Sequence, residues 1–348
     1  MIKSFFVKVD FYFRLSFYFN VEKNNLMVKQ KIKPVVVFSL FVLFANSLVA
    51  QNKFIHPEGK YLAVNGAMLW VETSGKGEPL FLIAGGPGES HVYMHAFDTL
   101  KDSFLLVFVD YFGRGKSDTS KDVSEYSIAR DVEDVEGIRR ALGFEKINVL
   151  GHSYGSMVAQ SYAIKYGGNV SHLIVADGFF SGKMWQENDD NSNRILAEND
   201  PELWDSLMIV RKKGFISSDV EHYSLYFRFH NALLYYYCPD NGSRVPRDAG
   251  YPNNFNLKVY YALVGADGDF SVGGDIFKYD VTKQLKDLKM PVLVIAGRYD
   301  RVSVPSFAVL YKKYCPQARF VMFEHSGHEV QWEEPEKEFA LLREFLRK

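Results

Sequence analysis

The chain has 348 residues, 47% hydrophobic and 24% charged, a globular composition with enough apolar sequence for a sizeable core. Its 41 basic and 42 acidic residues leave a formal net charge of −1, so no bulk field draws it to nucleic acid or anionic lipid, and a small or neutral substrate fits better. Its two cysteines, Cys238 and Cys315, come with no CxxC and no Cys/His cluster at metal-ligand spacing, so neither zinc nor a disulfide framework is suggested and no cofactor is expected. They read as two buried thiols, with one bridge left open in an oxidising compartment.

Residues 1–26 are aromatic but carry Lys8, Asp10 and Arg14, costly in a bilayer core, and they precede Met27, a better start. From Met27 the chain reads basic Lys29, Lys31 and Lys33, the apolar run Val35 to Val49, then Ala50-Gln51, which is the three-part pattern of a secretory signal. The apolar run is shorter than the ~20 residues of a membrane span. Residues 1–50 are therefore expected to be an extension and signal peptide, with cleavage near Ala50 exporting a chain that keeps no stable membrane association; an uncleaved anchor is the alternative.

From Lys60 strands and helices alternate, the signature of a mostly parallel sheet covered on both faces. Leu62-Ala63-Val64 and Met68-Leu69-Trp70-Val71, split by Asn65-Gly66, predict a hairpin with a two-residue turn. Short apolar runs at Leu80 to Ala84, Phe104 to Asp110, Ile147 to Leu150, Leu173 to Ala176, Val292 to Ala296 and Arg319 to Phe323 have the length of buried strands. Between Ser127 and Leu142, Ile128, Val132, Val135, Ile138 and Leu142 share one helical face. Residues 179–288 break the rhythm, first charged and then rich in aromatics (Tyr223, Tyr226, Phe227, Phe229, Tyr235, Tyr236, Tyr237). They read as a largely helical cap inserted between two parts of a core, 51–178 and 289–348, its aromatics either lining an apolar pocket or packing cap on core.

A serine hydroxyl is a weak nucleophile until a base takes its proton and a fixed geometry presents it to a carbonyl. Gly151-His152-Ser153-Tyr154-Gly155 follows the strand Ile147 to Leu150 and opens a helix, where flanking glycines leave room for a sharp turn that exposes Ser153. Three fixed positions recur by chance in ordinary chains; the strand-to-helix placement lends them weight. In that arrangement the acid and then the histidine follow the serine along the chain. Asp300, in the loop after Val292 to Ala296, is the expected acid, and His328, after Arg319 to Phe323, the expected base, with Asp177 and His325 as rivals.

An oxyanion hole needs backbone N–H groups aimed at developing charge. One is expected from Tyr154 and another from Gly85 or Gly86 in Gly85-Gly86-Pro87-Gly88, directly after the strand Leu80 to Ala84. The run Asp110 to Ser117 ends Gly-Lys-Ser but lacks the first glycine of a phosphate loop, and reads as a turn shaping one wall of the site.

Four stretches make the chain from about Lys60 resemble α/β-hydrolases of the proline iminopeptidase group, nearest the tricorn-interacting-factor type. They are Gly85 to Tyr93, Gly151 to Gly155, Val259 to Gly265, and Tyr279-Asp280-Val281-Thr282 leading to Gly297-Arg298-Tyr299-Asp300. The resemblance implies an α/β-hydrolase fold, a mostly parallel sheet of the eight-stranded type flanked by helices with an inserted helical cap. It also implies cleavage of an unblocked N-terminal residue, often proline, from a small peptide or amide. The family's Gly-Pro-Asn-Glu-Phe-like stretch, whose glutamate binds the substrate amine, is here Gly265-Ala266-Asp267-Gly268-Asp269-Phe270, leaving Asp269 at the nearest position and Glu221 as a loose candidate for a second amine-binding acid. Asp110-Tyr111-Phe112-Gly113 also departs from the family's Asp-Gln-Arg-Gly. An exported aminopeptidase or amidase is the leading expectation, a carboxylesterase acting on small esters the second, and a binding protein without catalysis the third.

Overall fold

A computed structural model describes residues 56–229, 232–244 and 250–347. The expected signal segment, 1–50, lies outside them. Eight strands form one sheet: β1 Gly59–Val64, β2 Ala67–Gly75, β3 Glu78–Ile83, β4 Phe104–Asp110, β5 Ile147–His152, β6 Val170–Ala176, β7 Val292–Gly297 and β8 Arg319–Phe323, in spatial order β1-β2-β4-β3-β5-β6-β7-β8. β1 and β2 form an antiparallel hairpin, and β2 joins β4 antiparallel; every later pairing is parallel. The hairpin turn is Asn65-Gly66, both at positive φ (50° and 80°), the two-residue turn whose twist matches that of the strands.

Parallel strands buried on both faces need apolar residues throughout, and β5 and β7 are buried at every position. One apolar cluster packs helix α1 (Ile128–Ala141) and helix α2 (Tyr154–Lys165) on one face; a second gathers Phe97, Leu100, Phe339 and Phe345 on the other. Ser127 caps α1 by accepting from the Arg130 amide at 3.1 Å, and Ile128, Val132, Val135 and Ile138 are its buried stripe. A 3₁₀ segment, Val92–Asp102, follows β3.

Between β6 and β7 the chain leaves the alternation for helices α3 (Gly182–Asn199), α4 (Pro201–Lys212), α5 (Val220–Phe229), α6 (Ala232–Tyr235) and α7 (Leu257–Val264). Leu196, Leu203, Leu207 and Tyr226 form a small core of their own there, while Phe179, Trp185, Val259 and Leu263 join the main one. Among the described residues no helix is long and apolar enough to cross a membrane. Cys315 is buried as expected, whereas Cys238 is exposed, and both are free thiols.

The arrangement dictates where a site can form. β4 and β5 lie on opposite sides of β3, so the loops after β3 and β5 diverge at its C-terminal end and leave a crevice. The loops after β6, β7 and β8 open on the same edge.

Candidate active site

Ser153 stands between β5 and α2 with φ 55° and ψ −125°, a conformation disfavoured for a residue with a Cβ. Its amide donates to the Ala176 carbonyl at 2.9 Å and its carbonyl accepts from Ser156 at 2.9 Å, so strand and helix both hold the turn. Close packing explains the flanking glycines: a Cβ on Gly151 would collide with the Gly155 carbonyl, and one on Gly155 with the Ile83 carbonyl of β3. Tyr154 opens α2, so its N–H has no acceptor one turn behind it and is available at the site.

The loops after β7 and β8 bring Asp300 and His328 together. Oδ2 of Asp300 lies 2.8 Å from Nδ1 of His328, and both residues are almost fully buried. Oδ1 of Asp300 accepts from the amides of Val302 and Ser303, each at 2.7 Å, which aims the carboxylate. The His328 amide donates to the carbonyl of Tyr235 at 2.7 Å, so the inserted helices help to hold the loop that carries it. The rivals lie elsewhere. Asp177, at φ 46°, accepts from the Gly297 amide at 2.8 Å, and burial, then the neighbouring charge of Asp300, push its carboxyl well above the usual range. His325 is exposed, with its amide donating to Glu334 at 2.8 Å.

The loop after β3 closes over the serine: a Cβ on Gly85 would lie 2.6 Å from Cβ of Ser153. The Gly85 amide, however, donates to the hydroxyl of Tyr93, which also lies 2.9 Å from Nδ1 of His152. Gly85 is therefore corrected from an oxyanion donor to a structural one. No hydrogen bond is recorded from the Gly86 amide among the described residues, so the Gly86 and Tyr154 amides are the two expected donors left without a partner there. His152, unassigned from sequence, is neutral: burial, then the nearby His328, push it down to about 3, and its Nε2 lies 2.8 Å from the His328 carbonyl.

Asp269 is buried, accepts from the Tyr260 hydroxyl at 3.1 Å, and is pushed up to about 7 by burial; its Oδ2 makes no hydrogen bond among the described residues. Glu221 does not join it, because it faces solvent on α5. The acid near Asp269 is Asp189 of α3, raised by burial and then by the charge of Asp269. A further acid escaped the sequence reading. Glu89, just after the glycine loop, is pushed up to about 7 by burial, and a Cβ on Gly86 would lie 2.7 Å from its Oε2.

Metals were set aside from sequence, yet the structure gathers His56, Glu72, His91 and His95 with one ligand-type atom from each, all within 4.8 Å of one another. The missed signal is His91 and His95, four apart and followed by a helical turn.

A model of the alpha/beta hydrolase fold matches residues 78–335. The proline iminopeptidase of Saccharolobus solfataricus is 30% identical over 297 residues, 84% of this chain and 93% of that protein. Among solved structures, VinJ matches 84% of this chain and 99% of its own at a TM-score of 0.71 and 21% identity. A proline iminopeptidase from Mycobacterium smegmatis matches 83% and 98% at 0.66 and 22%. At those identities the structures speak for the fold alone. The chain is a hydrolase that belongs to the α/β-hydrolase fold family and, within it, to the proline iminopeptidase family.

Proposed function

We propose that Ser153, His328 and Asp300 are a catalytic triad that removes an N-terminal residue from a small peptide or amide with a free amine. The observation that carries this reading is the buried 2.8 Å contact of His328 with Asp300 beside a serine on a strained strand-to-helix turn. The Ser153 hydroxyl attacks the substrate carbonyl and His328 takes its proton, while Asp300 steadies the imidazolium. The Tyr154 and Gly86 amides receive the oxyanion, the proton passes to the departing amine, and an acyl-enzyme remains. Water, activated by the same histidine, releases the acid and restores the serine.

Recognition of a free amine is supported by the buried acids. A carboxyl pushed up to about 7 by desolvation gains an ionised form when an ammonium enters beside it, and Glu89 next to the glycine loop and Asp269 further into the inserted helices are two such carboxyls. Export is part of the proposal, supported by the basic, apolar and small-residue order from Lys29 to Ala50. The intact mass of the secreted chain, beginning at Gln51, is its measurement; retention of Val35 to Val49 in the mature chain would overturn it.

The substrate reading is tested with proline and alanine arylamides, free and N-acetylated, beside short p-nitrophenyl esters. Free arylamides should be cleaved on the order of 100-fold faster than blocked ones, and Glu89→Gln or Asp269→Asn should raise KM for the free substrates about tenfold or more. Equal rates on free and blocked amides would remove amine recognition, and turnover confined to esters would make the enzyme a carboxylesterase. Fluorophosphonate labelling tests the nucleophile separately: it should vanish in Ser153→Ala, and undiminished labelling would end the triad assignment.

A further inference from the structure

His56, Glu72, His91 and His95 gather four possible ligand atoms at one place, all within 4.8 Å of one another. Oε2 of Glu72 lies 3.2 Å from Nδ1 of His56, 3.2 Å from Nε2 of His91 and 3.3 Å from Nε2 of His95. Four ligands arranged tetrahedrally about zinc, at metal–ligand distances of about 2.0–2.2 Å, are separated from one another by roughly 3.3–3.6 Å, the edge of the tetrahedron. The three measured separations approach that edge. Nε2 of His91 makes no hydrogen bond among the described residues despite its 3.2 Å approach to the carboxylate. The two atoms therefore approach closely without a hydrogen bond between them, as neighbouring ligands of one ion do.

The other polar atoms of His91, His95 and Glu72 are held by partners of their own, as the outer atoms of metal ligands are. Nδ1 of His91 lies 2.7 Å from Oδ1 of Asp110, whose other oxygen accepts from the Lys116 amide at 2.9 Å and the Tyr251 hydroxyl at 2.7 Å. With both carboxylate oxygens accepting, Asp110 holds Nδ1 of His91, and Nε2 is the ring atom left facing Glu72. Nδ1 of His95 lies 3.2 Å from Oδ1 of Asp98. Oε1 of Glu72 accepts from the indole N–H of Trp70 at 2.8 Å, leaving Oε2 to the centre. Glu72, His91 and His95 are buried and His56 is half-buried, so the centre is closed on most sides.

We propose that His56, Glu72, His91 and His95 bind one divalent first-row transition-metal ion of the zinc type, four-coordinate and structural. Three imidazoles and one carboxylate are a donor set suited to that class of ion and not to calcium or magnesium, which prefer oxygen. The ion joins the segment before β1, strand β2 and the 3₁₀ segment. It therefore anchors the far side of the segment whose Tyr93 receives the Gly85 amide. The site is separate from Ser153, His328 and Asp300, and stands or falls independently of the activity.

The test uses the full chain purified without a polyhistidine tag, stripped with chelator, and titrated with zinc and then cobalt(II). One equivalent of zinc per chain is expected, with a rise in Tm of roughly 5 °C at saturation. Cobalt(II) should give the intense visible absorption of four-coordinate geometry. His56→Ala, at the edge of the cluster where folding is least at risk, should weaken zinc binding by about 100-fold, and Asp98→Asn by about tenfold. Binding far below one equivalent in the wild type, a six-coordinate cobalt spectrum, or affinity unchanged in both variants would overturn the proposal and leave the cluster as a buried carboxylate–imidazole network.

Discussion

Asp300 takes three donors on two oxygens: the amides of Val302 and Ser303 on one, and His328 on the other. An amide in its place could accept from the two backbone groups but would present the wrong partner, or the wrong tautomer, to the imidazole. Asp300→Asn is therefore expected to lower kcat on the order of 10⁴-fold with a much smaller change in KM, measured on a free arylamide. A change in KM alone would instead make Asp300 a substrate-binding group. Residue types and chain order pointed to this acid and this histidine from the sequence. The acids proposed to meet the substrate amine were less legible. Asp269 could be picked by its likeness to a family position, whereas Glu89 and Asp189 have ordinary sequence surroundings and are distinguished by burial, which depends on what packs over them.

At the scale of elements, a buried knot ties the loop after β4 to the turn at Ser153. Arg114 donates to both oxygens of Asp131 on α1 at 2.8 Å each, and to the Pro87 carbonyl of the glycine loop at 2.8 Å. The Tyr154 hydroxyl donates to the same carboxylate at 2.7 Å. The stretch Asp110 to Ser117, read from sequence as a turn shaping one wall, thus supplies a guanidinium that aligns the glycine loop with α2. Arg114→Met leaves the Asp131 carboxylate buried without its guanidinium, with Tyr154 as its remaining donor, and should cost about 3–5 kcal/mol in urea unfolding. The double variant Arg114→Met/Asp131→Leu should recover most of that loss; if it does not, the knot acts through packing rather than charge.

At the scale of the whole molecule, a buried carboxyl on the last helix ties stability to pH. Glu338, on the terminal helix α8 (Pro335–Leu346), is fully buried with neither carboxylate oxygen hydrogen-bonded among the described residues, and burial pushes it from 4.5 up to about 8. A carboxyl with a raised folded pKa contributes its full stability below its unfolded pKa and loses it as pH rises through the folded one. Glu338→Gln escapes that loss. Its stability advantage over the wild type should widen by roughly 2 kcal/mol between pH 6.5 and 8 and then level off, read from urea midpoints at each pH. A gap independent of pH would mean that Glu338 is ionised in the folded chain.

By itself the sequence determined the alternation of strand and helix, the Asn65-Gly66 hairpin, the strand-to-helix turn at Ser153 and the chain order of serine, acid and histidine. Each of these depends on local chemistry: side-chain periodicity, turn residues, and glycines where the backbone crowds. Tertiary structure alone decided that the Gly85 amide is spent on Tyr93, that Glu221 points to solvent while Asp189 approaches Asp269, and that Cys238 is exposed. It alone brought His56 and Glu72 to His91 and His95. Those outcomes turn on which strands are neighbours and which groups lose water, and residues far apart in the chain acquire that relation only when the sheet closes over them.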